Sequence, residues 1–184
     1  LGKEEREVMN VFKCKVCEEP YLGNTKPSNC PHCGAPAMYL ILAENWVEQE
    51  IPELTEVTRK HLEASLKLEI DNVQFYRCAM GAAAEPVAQA MFKALSRIEA
   101  EHASRVCKFL KRPKMTVQDN PSACTGMTTE DHYKEALRRE EKAVTFYTSA
   151  AESATEPVVK EFFQALVEVE NDHIGLQKLG LGVA

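Results

Sequence analysis

The sequence predicts a mainly α protein, a four-helix bundle that carries a small N-terminal metal domain built on four cysteines. Three observations lead there. Four of the seven cysteines fall early, in the spacing Cys14-x2-Cys17-x12-Cys30-x2-Cys33. The remainder of the chain repeats itself at a spacing of 71 residues, so that 69–102 and 140–173 share 14 identities in 34 positions without a gap. Each copy is broken once, at Glu85-Pro86 and Glu156-Pro157, and proline suits the first turn of a helix while disfavouring helix in the residue before it. Two copies of two helices make four.

Composition sets the outer limits. The chain has 184 residues, 45% of them hydrophobic, and a net charge of −6 from 22 Lys/Arg and 28 Asp/Glu. Its first fifty residues are acidic as well, five Lys/Arg against eight Asp/Glu, which argues against a nucleic-acid partner. No run of apolar residues approaches the length of a membrane span. The segment Leu1 to Asn10 is charged where a secretory signal needs an apolar stretch, so a cytoplasmic location is the default expectation, with Met9 a candidate native start.

The first element, expected over 1–43, is the metal domain. Each Cys-x-x-Cys turn aims two thiolates at one point, and two such turns close a tetrahedron around zinc or iron. The competing reading, two disulfides, suits a reducing compartment poorly. Tyr21, Gly23, Pro27, Pro31, Gly34 and Pro36 fit tight turns in a segment too small for its own apolar core, so the metal holds it together. His32 reads as an exposed spacer. The pattern Cys14-x-x-Cys17, Tyr21, Pro27, Cys30-Pro31-x-Cys33-Gly34 resembles a rubredoxin, with one departure: rubredoxins usually carry Gly after the second Cys, and Glu18 stands there. Cys78, Cys107 and Cys124 are scattered and receive no function; the first two fall in helices, where a lone cysteine behaves as a small hydrophobe.

Residues 44–53, with Trp46, form the expected linker, and 54–184 the bundle. The predicted helices span 54–84, 86–111, 129–155 and 157–179, the third opened by a capping box of Thr128 and Asp131. Between Lys111 and Thr128, Pro113, Pro121 and Gly126 exclude continuous helix. Sixteen extended residues reach roughly 50 Å, enough to cross a helix about 42 Å long. Helices two and three can then run parallel, the one-crossover topology of ferritin-like folds.

The repeated polar residues point inward. Glu69 shares a face with Leu62, Leu66, Val73 and Tyr76, and Glu140 with Ala136, Leu137, Val144 and Tyr147. Glu99 precedes His102 by three on the core stripe of helix two, and Glu170 precedes His173 by three on helix four. Four buried carboxylates without a counter-charge would cost many kcal/mol, and no inward Lys or Arg is expected on these stripes. Glu69, Glu99, His102, Glu140, Glu170 and His173 therefore read as ligands of a carboxylate-bridged two-metal site, whose four negative charges balance two divalent cations. Tyr76 and Tyr147 either hydrogen-bond ligating carboxylates or fill core. Glu101, Asp172 and Glu141 point off the stripe, and His61 and His132 lie about 12 Å along their helices from the nearest ligand.

Taken whole, the chain resembles a rubrerythrin, with the rubredoxin-like part first as in reverse rubrerythrins. That resemblance implies a di-iron site that reduces hydrogen peroxide to water, a third iron, or zinc, at the four cysteines, and electrons supplied by a separate NAD(P)H-dependent reductase. It also implies dimers or higher homo-oligomers in which one subunit's rubredoxin lies beside another's di-iron site. Many rubrerythrins carry an extra glutamate ligand three residues beyond the helix-three ligand. Here that position is Ala143, with Asn72 its repeat equivalent, so oxidase or ferroxidase chemistry with dioxygen, or plain iron handling, stands as the alternative.

Overall fold

Four long helices account for most of a computed structural model that describes residues 9–51 and 53–183. They are α1 (Glu56–Ala82), α2 (Pro86–Phe109), α3 (Thr129–Ser153) and α4 (Pro157–Leu181), each end within two residues of its sequence-based position. Thr55 caps α1 by accepting from the Thr58 amide, and Thr128 and Asp131 form the reciprocal capping box of α3. Proline occupies the first helical position of α2 and α4, where its missing N–H has no partner to lose. Gly182 ends α4 in the left-handed region at φ 69°, and the Val183 amide returns to the Lys178 carbonyl at 3.0 Å.

The segment after α2 runs back along α1. Arg112 bonds Glu63 in the first third of α1 at 2.7 Å, Gln74 bonds the Gln118 carbonyl at 3.0 Å, and Arg77 bonds the Val117 carbonyl at 2.8 Å. The Ala84 amide just past α1 then meets Thr129 at 3.4 Å. α3 accordingly starts beside the start of α2 and runs parallel to it, with α1 packed along α2 and α3 along α4. The crossover topology is the ferritin-like one.

Duplication is visible in the packing. Tyr76 stacks on Phe92 with centroids 6.0 Å apart, and 71 residues later Tyr147 stacks on Phe163 at 5.9 Å. All four rings are fully buried, each worth roughly 1.5–3 kcal/mol of apolar burial.

The N-terminal domain is a three-stranded antiparallel sheet, β1 (Asn10–Cys14), β2 (Pro20–Gly23) and β3 (Leu40–Leu42), in the order β2-β1-β3. Its few apolar residues, Phe12, Val16 and Leu40 among them, belong to the same buried cluster as Leu66, Val106 and Val169 of the bundle. The small sheet thus borrows the bundle's core. The linker is strapped down too: Lys13 lies over the Trp46 ring at 3.9 Å, and Gln49 bonds Arg105 at 2.7 Å. Pro52 and the charged stretch 1–8 lie outside the described residues. Among the described residues, no helix is long and apolar enough to cross a membrane.

Two expectations are corrected here. Cys78 and Cys124 are joined in a disulfide with Cα atoms 5.9 Å apart; a sequence separation of 46 conceals a pairing that only the returning crossover creates. Arg105, three residues past His102 on the same stripe, is 3% exposed, against the expectation of no inward cation. Its guanidinium is turned toward Glu18 at 2.7 Å and away from the bundle's carboxylates.

Candidate metal centre

Two tight turns bring the four cysteines together. The Glu18 amide closes the first turn on the Cys14 carbonyl at 2.8 Å, and the Gly34 amide closes the second on Cys30 at 2.9 Å. Gly34 sits at φ +76° with a position for Cβ only 3.1 Å from Val169, so both its conformation and the contact demand glycine. Glu18 adopts φ 67° without being glycine. Its carboxylate forms ion pairs with Arg105 and Lys108 of α2, which offset a conformation costing about 1–2 kcal/mol. The departure from the rubredoxin pattern leaves the turn intact and adds a clamp.

The sulfurs of Cys14 and Cys33, and of Cys17 and Cys30, are 3.7 Å apart, and none of these four cysteines is in a disulfide. All four ligand atoms lie within 4.8 Å of one another. Mutual sulfur hydrogen bonds split their acidities: Cys17 and Cys30 pull Cys14 and each other in opposite directions, with Cys14 and Cys30 held below the usual thiol range and Cys17 and Cys33 pushed above it. Crowded sulfur donors of this kind fit a tetrahedral zinc or iron.

At mid-bundle the six expected ligands converge. His102 Nδ1 lies 3.7 Å from Glu69, 3.1 Å from Glu99 and 3.9 Å from Glu170. His173 Nδ1 lies 3.7 Å from Glu140, 2.9 Å from Glu170 and 3.3 Å from Glu99. Two groups result, Glu69/Glu99/His102/Glu170 and Glu99/Glu140/Glu170/His173, each with donor atoms within 4.8 Å. Glu99 and Glu170 belong to both, the geometry of bridging carboxylates, whereas Glu69 and Glu140 belong to one each. Glu69 Oε2, Glu99 Oε1, Glu140 Oε2 and Glu170 Oε1 are buried without a hydrogen-bond partner. Orphaned lone pairs in one pocket are what two cations would take up, so the donor set fits a carboxylate/histidine metal pair. The tyrosines settle on the first of their two readings: Tyr76 donates to Glu140 and Tyr147 to Glu69, each reaching across to the other repeat.

The electrostatics show the strain of this burial. Desolvation, reinforced by Glu99, holds Glu69 well above the carboxylate range, and desolvation with Glu170 does the same to Glu140. For Glu99 burial acts in the same sense, but the adjacent His102 and His173 imidazoles outweigh it and leave the group low. Both histidines are held well above the usual range, because neighbouring glutamates overcome the burial that opposes their charge. Burial also raises Tyr76 and Tyr147, keeping both phenols protonated donors.

The two centres touch. His102 Nε2 lies 2.9 Å from the carbonyl of Cys33, so that nitrogen must carry the proton and Nδ1 is left to face the carboxylates. Asn29 Nδ2 bonds Asp172 at 3.1 Å, and Lys15 bonds Glu161 at 3.3 Å. Within the single chain, its own four-cysteine domain lies against this end of the bundle, with the linker held to α2 by Gln49 and Arg105 and the sheet sharing the bundle's core.

Residues set aside by sequence stay aside. Glu101 pairs with Lys114 and Asp172 with Asn29, while His32 is bonded to the Pro20 carbonyl at 3.2 Å outside the cysteine group. His61 and His132 join neither metal group. Ala143 is buried and Asn72 bonds Arg139 at 3.3 Å, so neither position supplies a seventh carboxylate. The Cys33 to His102 contact and the Glu18 clamp were missed by sequence reasoning. Arg105, spaced three from His102, was the available signal for the second.

Comparison with known families finds a match to the family described as rubrerythrin over residues 60–176. No curated protein and no solved structure matches the chain.

Proposed function

Because the chain belongs to the rubrerythrin family, matched over more than half its length, we propose that it is a peroxidase reducing hydrogen peroxide to water, its electrons entering through the four-cysteine centre. The observation that carries this reading is the 2.9 Å contact between the Cys33 carbonyl and the outer nitrogen of His102, a direct covalent and hydrogen-bonded path from one centre to the other. Irons held at the two sites would supply one electron each to the peroxide bond, and the cysteine-bound iron would refill them one at a time. Within the protein, Glu99 and Glu170 would serve both metals, and Glu69 and Glu140 one each. Tyr76 and Tyr147 fix the Glu140 and Glu69 carboxylates and keep protons at the rim of the pocket. Cys17 is the one cysteine of the four that reaches the surface, which gives a separate NAD(P)H-dependent reductase its point of contact. Homo-oligomers and a cytoplasmic setting belong to the same proposal.

A second reading rests on Ala143 and Asn72. Without a seventh carboxylate the two metal positions have matched donor sets, which suits ferroxidase or iron-handling chemistry with dioxygen and a structural zinc at the cysteines. Metal analysis and visible spectra of anaerobically purified protein, followed by one addition of peroxide to the reduced form, separate the two. Three irons per chain, with the cysteine-bound iron rapidly reoxidised, support the peroxidase. Two irons and one zinc turn the reading to the alternative, since zinc has no accessible redox state. Glu99→Ala and His173→Ala are expected to abolish turnover and leave the four-cysteine centre loaded.

A further inference from the structure

A cavity of about 710 Å³ opens between α1, α2 and the crossover, away from both metal groups. Cys78 lines it, together with Arg77, Lys93 and Arg97 and a single acid, Asp119. That acid is already paired with Arg77 at 3.0 Å, while Lys93 and Arg97 carry no ion pair among the described residues. The bonded partner, Cys124, is 4% exposed on the short turn Pro121–Cys124 of the crossover. Neither cysteine follows from the duplication, since position 149, the repeat equivalent of Cys78, is Ser149.

Excess positive charge beside an accessible thiol favours the thiolate, the form that attacks peroxide. A buried second thiol within bonding reach then resolves the product. We propose that Cys78 and Cys124 are a reversible dithiol oxidised by hydrogen peroxide, a second peroxide-consuming site that uses no metal. The Cys78 thiolate attacks one peroxide oxygen, the O–O bond breaks, and the leaving hydroxide takes a proton to become water. The resulting sulfenic acid condenses with the Cys124 thiol, forming the S–S bond and releasing a second water. Two electrons leave the thiols and two reduce the peroxide, and a dithiol reductant reopens the bond.

The test uses the full chain loaded with zinc at every metal site, which silences iron chemistry and keeps this proposal separable from the peroxidase reading. Protein reduced with dithiothreitol and freed of it is exposed to a slight excess of peroxide, alkylated, and mapped by peptide mass. The expected result is a Cys78–Cys124 linked peptide, with Cys107 still alkylated, reversed by dithiothreitol. In Cys124→Ser, dimedone should trap a sulfenic acid at Cys78. Lys93→Ala and Arg97→Ala, both at exposed positions, should each slow oxidation about threefold, the change given by a half-unit rise in thiol pKa. Alkylation of both Cys78 and Cys124 after peroxide, absence of the dimedone adduct, or oxidation rates indifferent to both cation deletions would each overturn the proposal.

Discussion

Replacing Glu18 tests how the four-cysteine domain is fastened to the bundle. Its carboxylate meets Arg105 at 2.7 Å, with side-chain exposures of 9% and 2%, so little water reaches the pair. Removing one member of a buried ion pair costs about 3–5 kcal/mol, because the remaining charge is left uncompensated. The lower end applies here, since Gln49 still bonds Arg105. Glu18→Ala keeps a Cβ at φ 67° and should therefore lose about 3 kcal/mol. Glu18→Gly loses the same pair but relieves about 1–2 kcal/mol of left-handed backbone, for a net loss of roughly 1–2 kcal/mol. The assay is urea unfolding of the zinc-loaded protein followed by the single tryptophan, Trp46, which lies against Lys13 and reports the domain and not the distant half of the bundle. If the two variants are equally destabilised, the backbone argument fails. If Ala costs less than about 1 kcal/mol, the pair behaves as a solvated one and the clamp is refuted.

The remaining predictions concern single contacts. Glu156, 6% exposed, is driven up by burial but more strongly down by bonds from Thr58 at 2.5 Å and the Thr55 amide at 2.6 Å, to a pKa of about 2. Its folded value is below the ordinary 4.5, so its stabilisation, about 3 kcal/mol by linkage, is complete above pH 4.5 and lost as pH falls toward 2. The stability gap between wild type and Glu156→Gln, measured by urea midpoints, should shrink over that window; a gap independent of pH would contradict the assignment. Tyr76→Phe and Tyr147→Phe strip a hydrogen bond from Glu140 and Glu69 respectively, and each should weaken metal affinity about 10- to 100-fold, read by competition with a chelator, without unfolding the bundle. Gly34→Ala forces a side chain into φ +76° and against Val169. It should loosen the domain and expose Cys33 to alkylation in the metal-free protein, whereas unchanged protection would mean that the seat adapts.

What could be read from the sequence divides along a physical line. Helix ends, the crossover and the convergence of the six buried Glu and His side chains in the bundle follow from periodicity, proline placement and duplication, which are local or repeated signals. The site's burial was inferable because four inward glutamates make sense only around cations. The contacts that escaped are single and long-range. Cys78 finds Cys124 only because the crossover returns along α1, and Glu18 finds Arg105 only once the domain is seated. Nothing periodic marks either pair. Glu18 was visible as an anomaly, a non-glycine residue at a turn that prefers glycine, but its reason lies on another element.

The same division explains why a duplicated bundle yields two unequal metal positions. Duplication places His102 and His173 alike: each sits three residues after a shared glutamate, and each has its Nδ1 toward the carboxylates. The four-cysteine domain occurs once, and it lands on one half. His102 Nε2 is fixed by the Cys33 carbonyl, while His173 Nε2 is buried without a partner. A hydrogen bond on the outer nitrogen raises the basicity of the inner one and holds the ring in orientation. The His102 ring is therefore the more firmly oriented of the two and the one joined to the cysteines, so under the proposed relay electrons from that centre would arrive there first. Symmetry supplies two matched carboxylate cages, and the single appended domain breaks it, which under the proposed relay would give the path a direction.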